Sequence, residues 1–326
     1  MRTLAAVALV TCVALLTNAQ ESRYKNLQVL PSDISRSELT DFMLENLRGL
    51  GLRRLAGEGC LHCHVGDLET PRSEWDYASD AKPMKKKARV MMAMVDAINE
   101  KYIGSLKDRV DSSLRVTCTT CHAGRTDPRP LPDLLWAAYE AGGTDGAAKR
   151  YHELRERYFG GNAYDFRAHV LPGVAARMAA QGAIDDAIAL AALNVEVHPE
   201  VPSAKQAWVA LKLLLTIDTD GVEAALAELT RMEPSLGPEV VTPGLLDSLA
   251  WRLNRSDREA QGHALIEANY ERFPGEYVAI ESMAFILADT ERQEEAFVLL
   301  EQWLENNPDH ARARRLLVNL REKASN

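Results

Sequence analysis

Three donor atoms are brought together twice in this chain by short-range spacing alone. Cys60-Leu61-His62-Cys63-His64 and Cys118-Thr119-Thr120-Cys121-His122 both read C-x-x-C-H. Two intervening residues set the reach at which a pair of thiols adds across the two vinyl groups of one porphyrin. The histidine that follows then lies under the iron as proximal ligand. C-x-x-C by itself also serves redox disulfides and zinc. A zinc site needs four ligands gathered in one place, and a thioredoxin-like site needs a βαβ context that this sequence does not show. Of five cysteines, all but Cys12 sit in the two motifs. An exported chain usually commits an even cysteine set to disulfides; here the motifs use all four. They predict two haem c groups, one on Cys60 and Cys63 with His64 on the iron, one on Cys118 and Cys121 with His122. His62 is an intervening residue, directed away from the proximal position.

A sixth ligand has to come from elsewhere, and cytochromes that transfer electrons use Met or a second His. After His122 the next histidine is His152, so the first part of the chain offers methionines instead. Two helices carry them. The first is expected over residues 36–50, started by a Ser35–Glu38 capping box, with Leu39, Met43, Leu47 and Leu50 as one apolar stripe. The second is expected over residues 83–106, with Asp80 as its cap and Pro83 in its first turn. Met84, Ala88, Met91, Val95, Ile98 and Tyr102 recur on one side of it, as a buried face would. A Met on such a stripe is commonly core filler, and spacing does not choose among Met91, Met92 and Met94.

These stretches resemble the photosynthetic reaction-centre cytochrome c subunit family over roughly residues 26–125. The matching segments are Asn26 to Pro31, Ser35 to Leu39 leading to Met43, Cys60 to His64, Ala88 to Met91 through Ile98-Asn99, and Cys118 to His122 with Gly124. The resemblance implies a Met in the helix before each C-x-x-C-H as distal ligand, which falls on Met43 for the first haem and Met91 for the second. The family's subunit has four haems in two such halves, and this chain has one half. One of the four takes its distal His from a loop, and the matching region near Ser105 has no His. An insertion lies at residues 53–59. The resemblance implies a dihaem module and carries no assignment to a photosystem.

Residues 125–132 form a Pro-rich break, read as the linker. Beyond it the pattern is helical and punctuated by Pro199, Pro234, Pro274 and Pro308. The segment 262–274 repeats at 296–308, and 187–199 has the same internal spacing. Small residues at the helix crossing, with Pro after the second helix, are tetratricopeptide features. The turns of this repeat are read at residues 182–187 and 290–296; a first copy near Ala148 to Gly160 is less regular. The fold class expected is all-α: a dihaem c-type cytochrome domain followed by an α-solenoid of tetratricopeptide-like helix pairs.

At the start, Arg2, an uncharged apolar run from Leu4 to Leu16 and small residues at 17–19 have the layout of a secretory signal. The run is short of the ~20 residues that span a bilayer. Residues 1–19 are therefore expected to be removed, 20–130 to form the cytochrome domain and 131–326 the repeat domain, in a bacterial periplasm or an otherwise exported location with no membrane span in the mature chain. The net charge of −9 is unevenly shared, +1 over residues 20–135 and −11 beyond. That excludes a nucleic-acid surface, which would be basic. Electron transfer, not enzyme catalysis, is the function expected. A redox partner protein is expected to dock on the helical repeats or on the basic cluster Lys82, Lys85, Lys86, Lys87 and Arg89. A dihaem peroxidase is the first alternative; it needs an open iron with an acid–base group over it, and the first part of the chain has no spare His. A haem-based sensor or scaffold, in which the repeats do the main work, is the second.

Overall fold

The computed structural model describes residues 24–52, 58–107 and 113–324. The expected signal segment and most of the insertion at 53–59 lie outside them. Among the described residues the regular structure is helical, with a single isolated bridge between Val65 and Asp76. None of their helices is long and apolar enough to cross a membrane. The chain divides into two compact units, Met1–Pro128 and Arg129–Asn326.

In the first unit, α1 (Arg36–Gly49) begins at the expected capping box. Glu38 N–H donates to Ser35 Oγ at 3.2 Å and Ser35 N–H donates to Glu38 Oε2 at 3.0 Å. A short helix, α2 (Glu58–Leu61), carries the start of the first motif, and His62–His64 follow it as a turn. α3 (Pro83–Ala97) continues as a wider π-helical turn over Ile98–Ile103, and α4 (Cys118–His122) is the second motif. Asp80 does not cap α3; its carboxylate is engaged by Arg89 at 2.8 Å and Lys85 at 3.2 Å, and Lys82 stands at the N-cap without a side-chain bond.

The second unit is a stack of antiparallel pairs. α5 (Leu131–Tyr158) is broken at Gly142 and Gly143, so it forms the first pair; its N-terminal residues Leu131 and Pro132 belong to the helix and not to the linker. α6 (Val170–Ala180) pairs with α7 (Ile184–Val197), α8 (Pro202–Asp220) with α9 (Val222–Leu236), α10 (Pro243–Asn254) with α11 (Glu259–Arg272), and α12 (Tyr277–Asp289) with α13 (Gln293–Asn306). α14 (Ala311–Ala324) follows. The first helices of successive pairs also touch, α8 on α10 and α10 on α12, as in a solenoid in which each repeat covers its neighbour's apolar face.

The proline reading explains three helix ends and misses one. His198, Phe273 and Asn307 each precede a Pro, and they share one conformation: φ/ψ −137/57, −129/59 and −134/58. The proline ring disfavours the α region for the residue before it, so each helix stops there. Pro234 lies inside α9, and the chain leaves that helix at Gly237, φ +91. The turns repeat as well. Gly182, Asp257 and Glu291 all have positive φ (+84, +57 and +61), and five residues on come Ala187, Gly262 and Ala296, each buried at the crossing of its pair.

Gly262 is the tightest of these crossings. A Cβ there would stand 2.8 Å from the Ala250 carbonyl and collide with the Asn254 side chain. Gly262→Ala gains helix propensity of ~1 kcal/mol but overpacks the crossing by ~1–3 kcal/mol. The expected result is a lower unfolding temperature for the second unit, read by far-UV circular dichroism; an unchanged or higher one would show that the α10–α11 contact yields freely.

Candidate functional site

Each C-x-x-C-H is a single helical turn. His64 N–H donates to Cys60 O at 2.9 Å, and Cys118–His122 is helical throughout. Residues i, i+3 and i+4 of a helix share one side. Both thiols and the imidazole of each motif are thus presented together.

The imidazoles are aimed the same way in both motifs. His64 Nδ1 lies 3.3 Å from Tyr77 O, and His122 Nδ1 lies 2.8 Å from Arg125 O. A carbonyl only accepts, so Nδ1 carries the proton in each ring and Nε2 keeps its lone pair for a metal. Burial, assisted by the charge of Lys85, pulls the His64 imidazole below its usual range. Burial also pushes the Cys63 and Cys118 thiols up. The second turn ends at Ala123, φ +48, whose N–H bonds Thr119 O at 2.8 Å.

Each methionine helix reaches one motif directly, and the residues that follow it reach the approach to the other. The C-terminal end of α1 packs on the second: a Cβ at Gly49 would stand 3.1 Å from Cys118 Cβ, Gly124 N–H donates to Gly49 O at 2.8 Å, and Cys118 Sγ donates to Asn46 Oδ1 at 3.1 Å. Just beyond, Gly51, φ +70, lies so close to the Gly124 carbonyl that no side chain fits. Leu52 in turn lies against Gly59 at the first motif. The start of α3 meets the first motif through Lys82 Nζ, which donates to Leu61 O. Its far end meets the approach to the second. The buried Asn99 donates to Val116 O at 2.8 Å and accepts from Val116 N–H at 2.7 Å, as a backbone partner would.

The apolar stripes behave differently from core stripes. Leu39, Met43, Leu47 and Leu50 on α1 are all half-buried. On α3 the expected buried face is not covered by the polypeptide: Met91 is 46 % exposed and Tyr102 is 59 % exposed, while Met84, Ala88, Val95 and Ile98 are half-buried. What α3 buries against protein is Lys85 and Asn99. Met92 is half-buried and Met94 is 44 % exposed. Across the described residues of the first unit, Leu52 and Trp75 are the buried apolar side chains; the rest of the buried core begins at Leu131. Large apolar groups such as Leu44, Tyr77, Val90 and Leu114 stay exposed. A folded domain needs an apolar interior, and a flat apolar macrocycle at each motif would supply one. The donor set and the uncovered apolar stripes both fit a haem on Cys60/Cys63 with His64 and another on Cys118/Cys121 with His122.

Several residues that shape the site have no signature in the sequence. Tyr77 and Arg125 act through their carbonyls, which any residue offers. Asn46 and Asn99 act as isolated amides. The basic cluster is visible as a run, but three of its five members face inward: Lys82 on Leu61 O, Lys85 on a row of carbonyls and Arg89 on Asp80 and Asn26 O. Lys86 and Lys87 remain exposed.

Comparison of the chain with curated proteins gave no match. Residues 7–157, the stretch that holds both motifs and both methionine helices, match the model of the photosynthetic reaction centre cytochrome C subunit family, the family these motifs resemble.

Proposed function

We propose that this chain is an exported electron-transfer protein with two covalently bound haem c groups. One observation carries the reading. Two C-x-x-C-H turns each present two thiols and an imidazole whose Nδ1–H is tied to a carbonyl. The family match supports haem-based electron transfer in general. Each haem iron, when bound, exchanges one electron. Of the chain's own residues, Cys60, Cys63, Cys118 and Cys121 would anchor the haems, His64 and His122 would ligate the irons, and Met43, on a half-buried apolar stripe, and Met91, on an exposed one, would each offer a thioether to one iron. A thioether offered to each iron would leave no open position for peroxide, which argues against the peroxidase alternative.

The partner surface follows from what is left free. With Lys82, Lys85 and Arg89 engaged internally, the basic cluster offers only Lys86 and Lys87. The redox partner is assigned instead to the row of first helices α8, α10 and α12, since stacked helical repeats bind partners along such rows.

Mass measurement tests the core of the proposal. After expression with cytochrome c maturation, the processed protein should exceed its polypeptide mass by two haems. Cys60→Ala combined with Cys63→Ala should reduce the excess to one. A protein that keeps free thiols and binds no haem would refute it.

A further inference from the structure

The carbonyl that steers the first imidazole is also held by a buried cation. Lys85 is 9 % exposed; its Nζ donates to Tyr77 O and Ala78 O at 2.8 Å and to Ser79 O at 2.9 Å, and lies 3.2 Å from Asp80 Oδ1. A lysine is seldom buried unless its charge is answered. Here the answer is partial. The Asp80 carboxylate is shared with Arg89 at 2.8 Å and with Asn26 Nδ2 at 3.0 Å, so the ammonium relies mainly on three neutral carbonyls. Tyr77 O is the atom that receives the His64 Nδ1–H. The second motif is arranged otherwise. His122 Nδ1–H makes a shorter bond, 2.8 Å, to Arg125 O, and the Arg125 guanidinium donates to the carbonyls of His122, Cys121 and Pro128.

An imidazole N–H bonded to a good acceptor makes the ring a stronger donor to its metal, which favours the ferric state. A cation on that acceptor weakens it. The same charge, held in a poorly solvated site, also opposes ferric iron through space. Resting on the haem assignment above, we infer that Lys85 is a positioning residue for the haem on Cys60 and Cys63: it fixes the Tyr77–Ser79 turn that orients His64 and makes that iron easier to reduce. The second haem lies outside its action.

The test is a redox titration of the full-length, haem-loaded protein, read by absorbance and fitted as two one-electron steps. The Cys60→Ala/Cys63→Ala protein identifies the step that belongs to the second haem. Lys85→Met should lower the reduced-to-oxidised ratio of the first haem about tenfold at fixed potential, equivalent to 59 mV for one electron. The other step should stay in place. Lys85→Arg should restore most of the shift. If Lys85→Met fails to retain haem, Lys85→Gln replaces it; the amide still bonds carbonyls but has no charge. A first step that does not move in a variant that keeps both haems would overturn the role of Lys85, as would equal movement of both steps. Absence of haem at Cys60/Cys63 in the parent protein would instead refute the haem assignment, so the two failures are distinct.

Discussion

Replacing Met91 with Leu is expected to leave the protein folded and to change one haem only. Leu is a good helix former, and the swap nearly conserves volume, so α3 should lose less than ~1.5 kcal/mol. The thioether is lost altogether. Met/His ligation raises the potential of a haem iron, so the second haem should be harder to reduce. At a fixed potential its reduced-to-oxidised ratio should fall more than tenfold, or over 59 mV for one electron. The long-wavelength sulfur-to-iron band should halve, and that iron should bind carbon monoxide. Met43→Leu should do the same to the first haem. Met92→Leu and Met94→Leu are the controls. On a helix with 100° per residue, Met94 points some 60° from Met91, and both are comparably exposed on α3. Loss of the band in Met94→Leu and not in Met91→Leu would move the ligand one turn along the helix.

Removing all four motif cysteines should unfold the first unit and leave the second intact. The reason is the distribution of core. The second unit buries three apolar clusters between Leu131 and Leu320, whereas the described part of the first buries Leu52 and Trp75. Its two main helices have 14 and 15 residues, near the length at which an isolated helix is marginal in water. With Cys60, Cys63, Cys118 and Cys121 changed to Ala, the far-UV signal should fall by the share of α1 to α4. Brief proteolysis should trim the chain to a stable fragment beginning near Arg129. A first unit that resists protease without haem would show that the polypeptide folds unaided, and that the uncovered stripes have another purpose.

The two halves of the chain were unequally legible for this same reason. In the repeat unit every helix packs on protein, so the apolar spacing, the small residues at 187, 262 and 296 and the prolines at 199, 274 and 308 map onto crossings and helix ends. Pro234 deceived because it does not stop the helix: the ring removes the N–H that would bond the carbonyl four residues back, yet α9 runs on through it and the chain turns three residues later at Gly237. In the first unit the period of the Met84–Tyr102 stripe was visible, but a stripe read from sequence does not reveal what covers it. The capping box at Ser35 was legible because each of its bonds joins a side chain to a backbone N–H three residues away. Asp80 was misread as a cap because its carboxylate is taken by side chains, those of Lys85, Arg89 and the distant Asn26, and not by the first N–H groups of α3. The carbonyls of Tyr77 and Arg125 leave no trace in sequence at all.

The cross-bracing of the two motifs sets a limit on modularity. α1 is locked onto the second motif through Gly49, Gly51 and Asn46, and Leu52 at its end rests on the first; α3 touches the first at Lys82 and approaches the second at Asn99. No cut between the motifs leaves either with a complete set of neighbours. The pair is therefore the smallest heritable piece of this architecture. Growth by gene duplication would copy the pair whole, and descendants would carry the C-x-x-C-H motif in even numbers.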